Sequence, residues 1–71
     1  MTPTDLTIIL HERPAWLADV RRLRGLTQCQ LAEELGVPRH TVARWERGER
    51  APTGLYLRAL ADWVSGRGAG E

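Results

Sequence analysis

The chain contains no lysine; all ten of its basic residues are arginine. It has one cysteine, Cys29, so no internal disulfide can form. No apolar run approaches the ~18 residues that a membrane span needs. The opening residues Met1 to Asp5 lack the basic region and apolar stretch of a signal peptide. There is no glycine-rich phosphate loop and no carboxylate pair in a plausible cleft. The two histidines, His11 and His40, lie far apart with no second ligand at metal spacing. These absences argue against an enzyme, a metal centre and a bound cofactor. They favour a protein that works in the cytoplasm without touching a membrane.

What is present fits one small folded unit. The 71 residues are 42% hydrophobic and 27% charged, an ordinary balance for a globular domain. A chain this short buries only about 60% of the surface it exposes when unfolded. With no disulfide to add stability, the expected support is a partner subunit.

The net charge of +1 conceals a gradient. Residues 1–20 carry one arginine against three acidic residues, whereas residues 21–50 carry seven arginines against four glutamates. Arginine suits bidentate contacts to phosphate or guanine better than lysine does. Codon bias in a GC-rich genome would produce the same preference, so the basic middle alone leaves nucleic-acid binding open.

Glycines and prolines divide the chain into short helical pieces. Leu17, Val20 and Leu23, with Trp16, recur at helical spacing after Pro14, and that piece stops at Arg24-Gly25. A second piece opens at the N-cap Thr27, carries Leu31, Ala32 and Leu35 on one face, and closes at Gly36. A third runs from Pro38 to Arg47 before Gly48, and a fourth carries Leu57, Leu60, Ala61 and Val64 after Thr53. Thr2-Pro3-Thr4-Asp5 reads as a cap, a proline at the first helical position and an acidic first turn, favouring a helix from Pro3 to His11. The β-branched run through Ile9 leaves a strand open there. The resulting expectation is an all-α bundle of four to five helices, with an N-terminal segment 1–13, a body 14–64 and a flexible tail 65–71.

The third piece carries the chemistry. On a helical wheel with Arg39 at the origin, Ala43 falls at about 40°, Arg47 at about 80°, His40 at about 100° and Arg44 at about 140°. Trp45 falls at about 240° and Val42 at about 300°, while Glu46 falls at about 340°, at the edge of the apolar side. Such a helix packs by one face and presents arginines from the other. An incidental basic surface would look the same.

Spacing adds to this. Thr27-Gln28-x-x-Leu31-Ala32-x-x-Leu35-Gly36-Val37 is followed by Thr41-Val42-x-Arg44-Trp45-Glu46-x-Gly48-x-Arg50-x-Pro52. This pattern closely resembles the helix-turn-helix of the phage repressor and Cro-like (Xre) regulators, over about Leu17 to Val64. The resemblance implies a lambda-repressor-like DNA-binding domain whose helix 38–47 lies in the major groove of an operator. It assigns base reading to Arg39, His40 and Arg44, with Ala43 meeting a thymine methyl or letting the backbone approach. Phosphate contact falls to Thr27, Gln28, Thr41, Arg47 and Arg50. Gln28 as a solvated or capping side chain, and Arg47 and Arg50 as idle surface charges, stay open. Arg21 and Glu46 match positions that form a buried salt bridge in many members. Pro38 departs from the serine or threonine cap common in the family, which puts a phosphate contact at this position in doubt.

The function so implied is a sequence-specific regulator of double-stranded DNA, a repressor acting as a homodimer on a pseudo-palindromic site. Leu55, Tyr56 and Trp63 are the candidate dimer surface, with an intramolecular contact to Leu6, Ile9 and Leu10 as the alternative. An antitoxin or adaptor that binds a protein partner, such as a toxin or an anti-repressor, is the alternative function.

Overall fold

The computed structural model describes residues 1–66, and within them five helices and no strand. They are α1 (Pro3–Glu12), α2 (Trp16–Leu23), α3 (Gln28–Leu35), α4 (Arg39–Arg47) and α5 (Gly54–Val64). None is long and apolar enough to cross a membrane. Of the tail expected at 65–71, residues 67–71 lie outside the described residues.

The N-terminal segment is helical rather than extended. Thr2 and Asp5 form a reciprocal capping box: the Asp5 backbone N–H donates to Thr2 Oγ1 at 3.1 Å, and the Thr2 N–H donates to Asp5 Oδ2 at 3.4 Å. This satisfies two of the donors a helix start leaves orphaned, and Pro3 at the first position has no N–H to satisfy. Leu6 and Leu10 from α1 are buried in the same core as Leu17, Leu31, Val42 and Leu60. The helix therefore lies against α5 and α2 and closes one side of the core.

α3 packs most extensively on α4. The small Ala32 is buried on α3, and Gly36 reverses the chain at φ +73°, a conformation glycine adopts without strain. Gly48 does the same at the end of α4, at φ +76°. A methyl added to Gly48 would also stand 2.8 Å from the Pro14 Cγ, so both the turn and the approach of the α1–α2 corner require glycine here.

Two sequence expectations about faces do not hold. Leu23 is 86% exposed; from Leu17 it lies about 240° around the helix, while the true inward stripe runs through Val20 and Arg21. Trp63, expected on an outward dimer surface, is only 5% exposed and belongs to the core. The α2 end covers it: the Arg24 guanidinium lies 4.4 Å from the Trp63 ring centroid, and its nitrogens donate to the Trp63 and Val64 carbonyls. That places a cation at the C-terminus of α5, where it complements the helix dipole.

Candidate nucleic-acid interface

The architecture turns one side of α4 inward and leaves the other to solvent. Val42, Ala43 and Trp45 are buried, and so is the Glu46 side chain. Arg39, His40, Arg44 and Arg47 are exposed and Thr41 is half-buried. Arg47, His40 and Arg44 thus face outward at about 80°, 100° and 140° on the helical wheel and Arg39 is exposed at the origin, while Ala43 at about 40° is covered. Glu46, at the edge of the apolar side, points inward as the acceptor of an ion pair.

The burial of Ala43 bears on its reading. At 6% exposure its methyl is covered by the protein, which disfavours a thymine-methyl contact and leaves the close backbone approach as the role its small size fits.

Glu46 anchors a network that crosses three helices. Arg21 Nε donates to Glu46 Oε2 at 2.7 Å and Arg21 Nη2 to Glu46 Oε1 at 3.1 Å, a bidentate pair with both side chains over nine-tenths buried. The remaining Arg21 nitrogen, Nη1, donates to the Leu26 carbonyl at 2.8 Å and so fixes the α2–α3 loop. Hydrogen bonding to Glu46 holds the Arg21 pKa above its ordinary value, against the opposing effect of burial. Gln28 Nε2 donates to Glu46 Oε1 at 2.9 Å, and Gln28 Oε1 accepts from Arg39 Nη1 at 3.0 Å. The chain Arg21–Glu46–Gln28–Arg39 thus runs from the interior to the first residue of α4. No buried side-chain nitrogen or oxygen among the described residues lacks a partner, which is the condition under which a buried polar network adds rigidity.

These contacts redefine what several residues can offer. Both ends of the Gln28 amide are engaged inside the protein, which sequence spacing could not reveal. Thr27 is also occupied: its backbone N–H donates to Gln30 Oε1 at 2.8 Å and its Oγ1 accepts from the Gln30 N–H at 3.1 Å. Its hydroxyl hydrogen is what remains for an outside acceptor. Pro38 is the N-cap of α4 and supplies no side-chain acceptor. Between α4 and the start of α5 lies a recess lined by Thr41, Arg44, Arg50, Thr53 and Tyr56, which gathers two arginines beside an aromatic ring. Tyr56 leans on Trp45, with ring centroids 6.5 Å apart. Cys29 is exposed. Among the described residues no cluster of three or more His, Cys, Asp or Glu side chains could hold a metal.

A sequence profile of the helix-turn-helix family matches residues 17–62, from the second residue of α2 nearly to the end of α5. The chain belongs to the helix-turn-helix family of the Xre and lambda-repressor type. Helix-turn-helix proteins of this type are DNA-binding: the first helix of the motif crosses the DNA backbone and the second enters the major groove, and α3 and α4 are the corresponding helices of this chain. Over 52 residues the chain is also 38% identical to the Type II methyltransferase M.SsoII of Shigella sonnei, covering 69% of this chain and 14% of the methyltransferase. The chain thus spans about one seventh of that relative's length. No solved structure matches it significantly.

Proposed function

We propose that this helix-turn-helix protein is a sequence-specific, non-enzymatic repressor that binds a pseudo-palindromic operator as a homodimer, acting on nucleoid DNA in the cytoplasm. The observation that carries the reading is the split face of α4: a buried side locked by the Arg21–Glu46 pair, and an outward side bearing His40, Arg44 and Arg47 beside the tethered Arg39. Arg39, His40 and Arg44 read base edges, with arginine pairing to guanine O6 and N7. Thr41, Arg47 and Arg50 meet phosphates and fix register. Gln28 acts chiefly by holding Arg39 and Glu46, and Thr27 contributes its hydroxyl. The dimer forms through Leu55 and Tyr56, which are 80% and 53% exposed on one side of α5. The likeness to the methyltransferase is little longer than the helix-turn-helix match and takes in 14% of that protein, so it carries no catalytic activity to this chain.

A second reading, a partner-binding adaptor, is favoured by one feature. Met1, just before α1, and Ile8 on it are about half exposed and, with Asp5 and Ile9, line a shallow depression to which no α4 residue contributes.

The two readings separate in a binding titration against the DNA upstream of the gene and a shuffled fragment of equal length. A repressor binds its own fragment in the range of about 10⁻⁸–10⁻¹¹ M at physiological salt, roughly 10³-fold or more tighter than the shuffled one. Equal and steeply salt-dependent binding to both would leave only a basic surface and favour the adaptor.

A further inference from the structure

The outward face of α4 carries an acidic residue that helical periodicity does not place there. Glu49 lies beyond the helix, across the left-handed Gly48. The glycine turn bends the chain back so that the Glu49 N–H donates to the Arg44 carbonyl at 3.0 Å. In that position its carboxylate meets the last arginine of the helix: Arg47 Nε donates to Glu49 Oε2 at 2.5 Å and Arg47 Nη2 to Glu49 Oε1 at 3.4 Å. This two-point grip uses the same guanidinium edge that would accept a phosphate. Both side chains are more than half exposed, at 58% and 53%, so an incoming duplex can reach the pair. Hydrogen bonding to Arg47 is the main cause holding the Glu49 pKa below its ordinary value, and Arg44 adds to the positive field at the carboxylate.

We propose that Glu49 attenuates DNA binding: in the free protein its carboxylate occupies Arg47 in the manner of a phosphate, and the duplex must displace it. The proposal rests on the reading that the outward face of α4 meets DNA. Three consequences follow from the chemistry. Because Arg47 contacts backbone and not bases, the weakening is uniform across sequences. Because phosphate contacts supply most non-specific affinity, the carboxylate lowers the hold of the protein on bulk DNA. Because Arg47 is already paired, it contributes less to the salt dependence than a free arginine would.

The test compares the wild type, Glu49→Gln, Arg47→Ala and the double variant on the upstream and shuffled fragments over a series of salt concentrations. Thermal melts verify that each variant is folded, as expected for an exposed pair. Glu49→Gln should tighten binding to both fragments by about three- to tenfold and steepen the salt slope by up to about 0.9. In the Arg47→Ala background the same substitution should change little. An equal gain in both backgrounds would show that Glu49 acts as a general charge, and no gain or a loss would overturn attenuation outright. Binding by the wild type without any response to Glu49→Gln sinks only this proposal. Failure of all four proteins to bind DNA sinks the functional reading with it.

Discussion

Glu46→Ala is expected to remove a large part of the stability of this domain. At about 0.05–0.15 kcal/mol per residue, a chain of this length has roughly 4–11 kcal/mol in total. Removing one partner of a buried pair costs about 3–5 kcal/mol, because the other charge stays behind in the interior. Here the orphan is Arg21, held among the core of α2 with both Glu46 bonds gone. Gln28 loses its acceptor too, so the tether on Arg39 slackens as the fold weakens. Thermal unfolding followed by circular dichroism should show a Tm lower by at least about 12 °C, at about 4–8 °C per kcal/mol for a domain of this size. Replacing both partners, Arg21→Met with Glu46→Leu, should recover much of the loss, since an apolar pair of similar volume incurs no desolvation penalty. A drop of less than about 4 °C for Glu46→Ala would mean that the pair is screened like a surface contact.

Arg44→Ala is expected to cost the protein its operator while leaving its fold intact. Arg44 is exposed on α4 and has no ion-pair partner within 4 Å among the described residues. Its removal therefore leaves no buried charge and no cavity, and the melt should stay close to that of the wild type. A bidentate arginine–guanine contact is worth about 1–3 kcal/mol, so each half-site should lose roughly five- to 150-fold in affinity, compounded in a dimer. Preference at one base pair per half-site should relax at the same time. Arg47→Ala should behave differently, weakening all sequences alike and flattening the salt slope. If Arg44→Ala and Arg47→Ala had identical uniform effects, Arg44 would be a phosphate contact and not a reader.

Much of this was legible in the sequence because its signals are local. Thr27 as a cap, Gly36 and Gly48 as stops, and the Thr2–Asp5 cap all follow from short-range hydrogen bonding and each proved to shape its helix end. The Arg21–Glu46 contact came through family resemblance, not periodicity. What the sequence did not disclose depends on how helices cross. Polarity placed Glu46 at the edge of the apolar side, where its ion pair does hold it, but gave no sign that Ala43, amid the arginines on the wheel, would be covered. Tyr56 and Trp63 share a helical stripe seven residues apart, but only Trp63 lies under the α2 end, so one is exposed and the other is core. Gln28 and Arg39 are eleven residues apart and meet only because α3 and α4 pack together. Glu49 could have been suspected from its place just past the left-handed Gly48, because such a turn returns the chain toward its own helix.

Base reading by α4 in the major groove is the central claim, and dimethyl sulfate interference on a bound duplex tests it most directly. The reagent marks guanine N7 in the major groove and adenine N3 in the minor groove of the same molecule. Methylation of a few guanines, clustered in two half-sites about 10–10.5 base pairs apart or a multiple of that, is predicted to abolish binding. Arg44→Ala is predicted to erase the interference at one guanine in each half-site. Interference confined to adenine N3, or binding indifferent to every methylated guanine, would contradict major-groove reading.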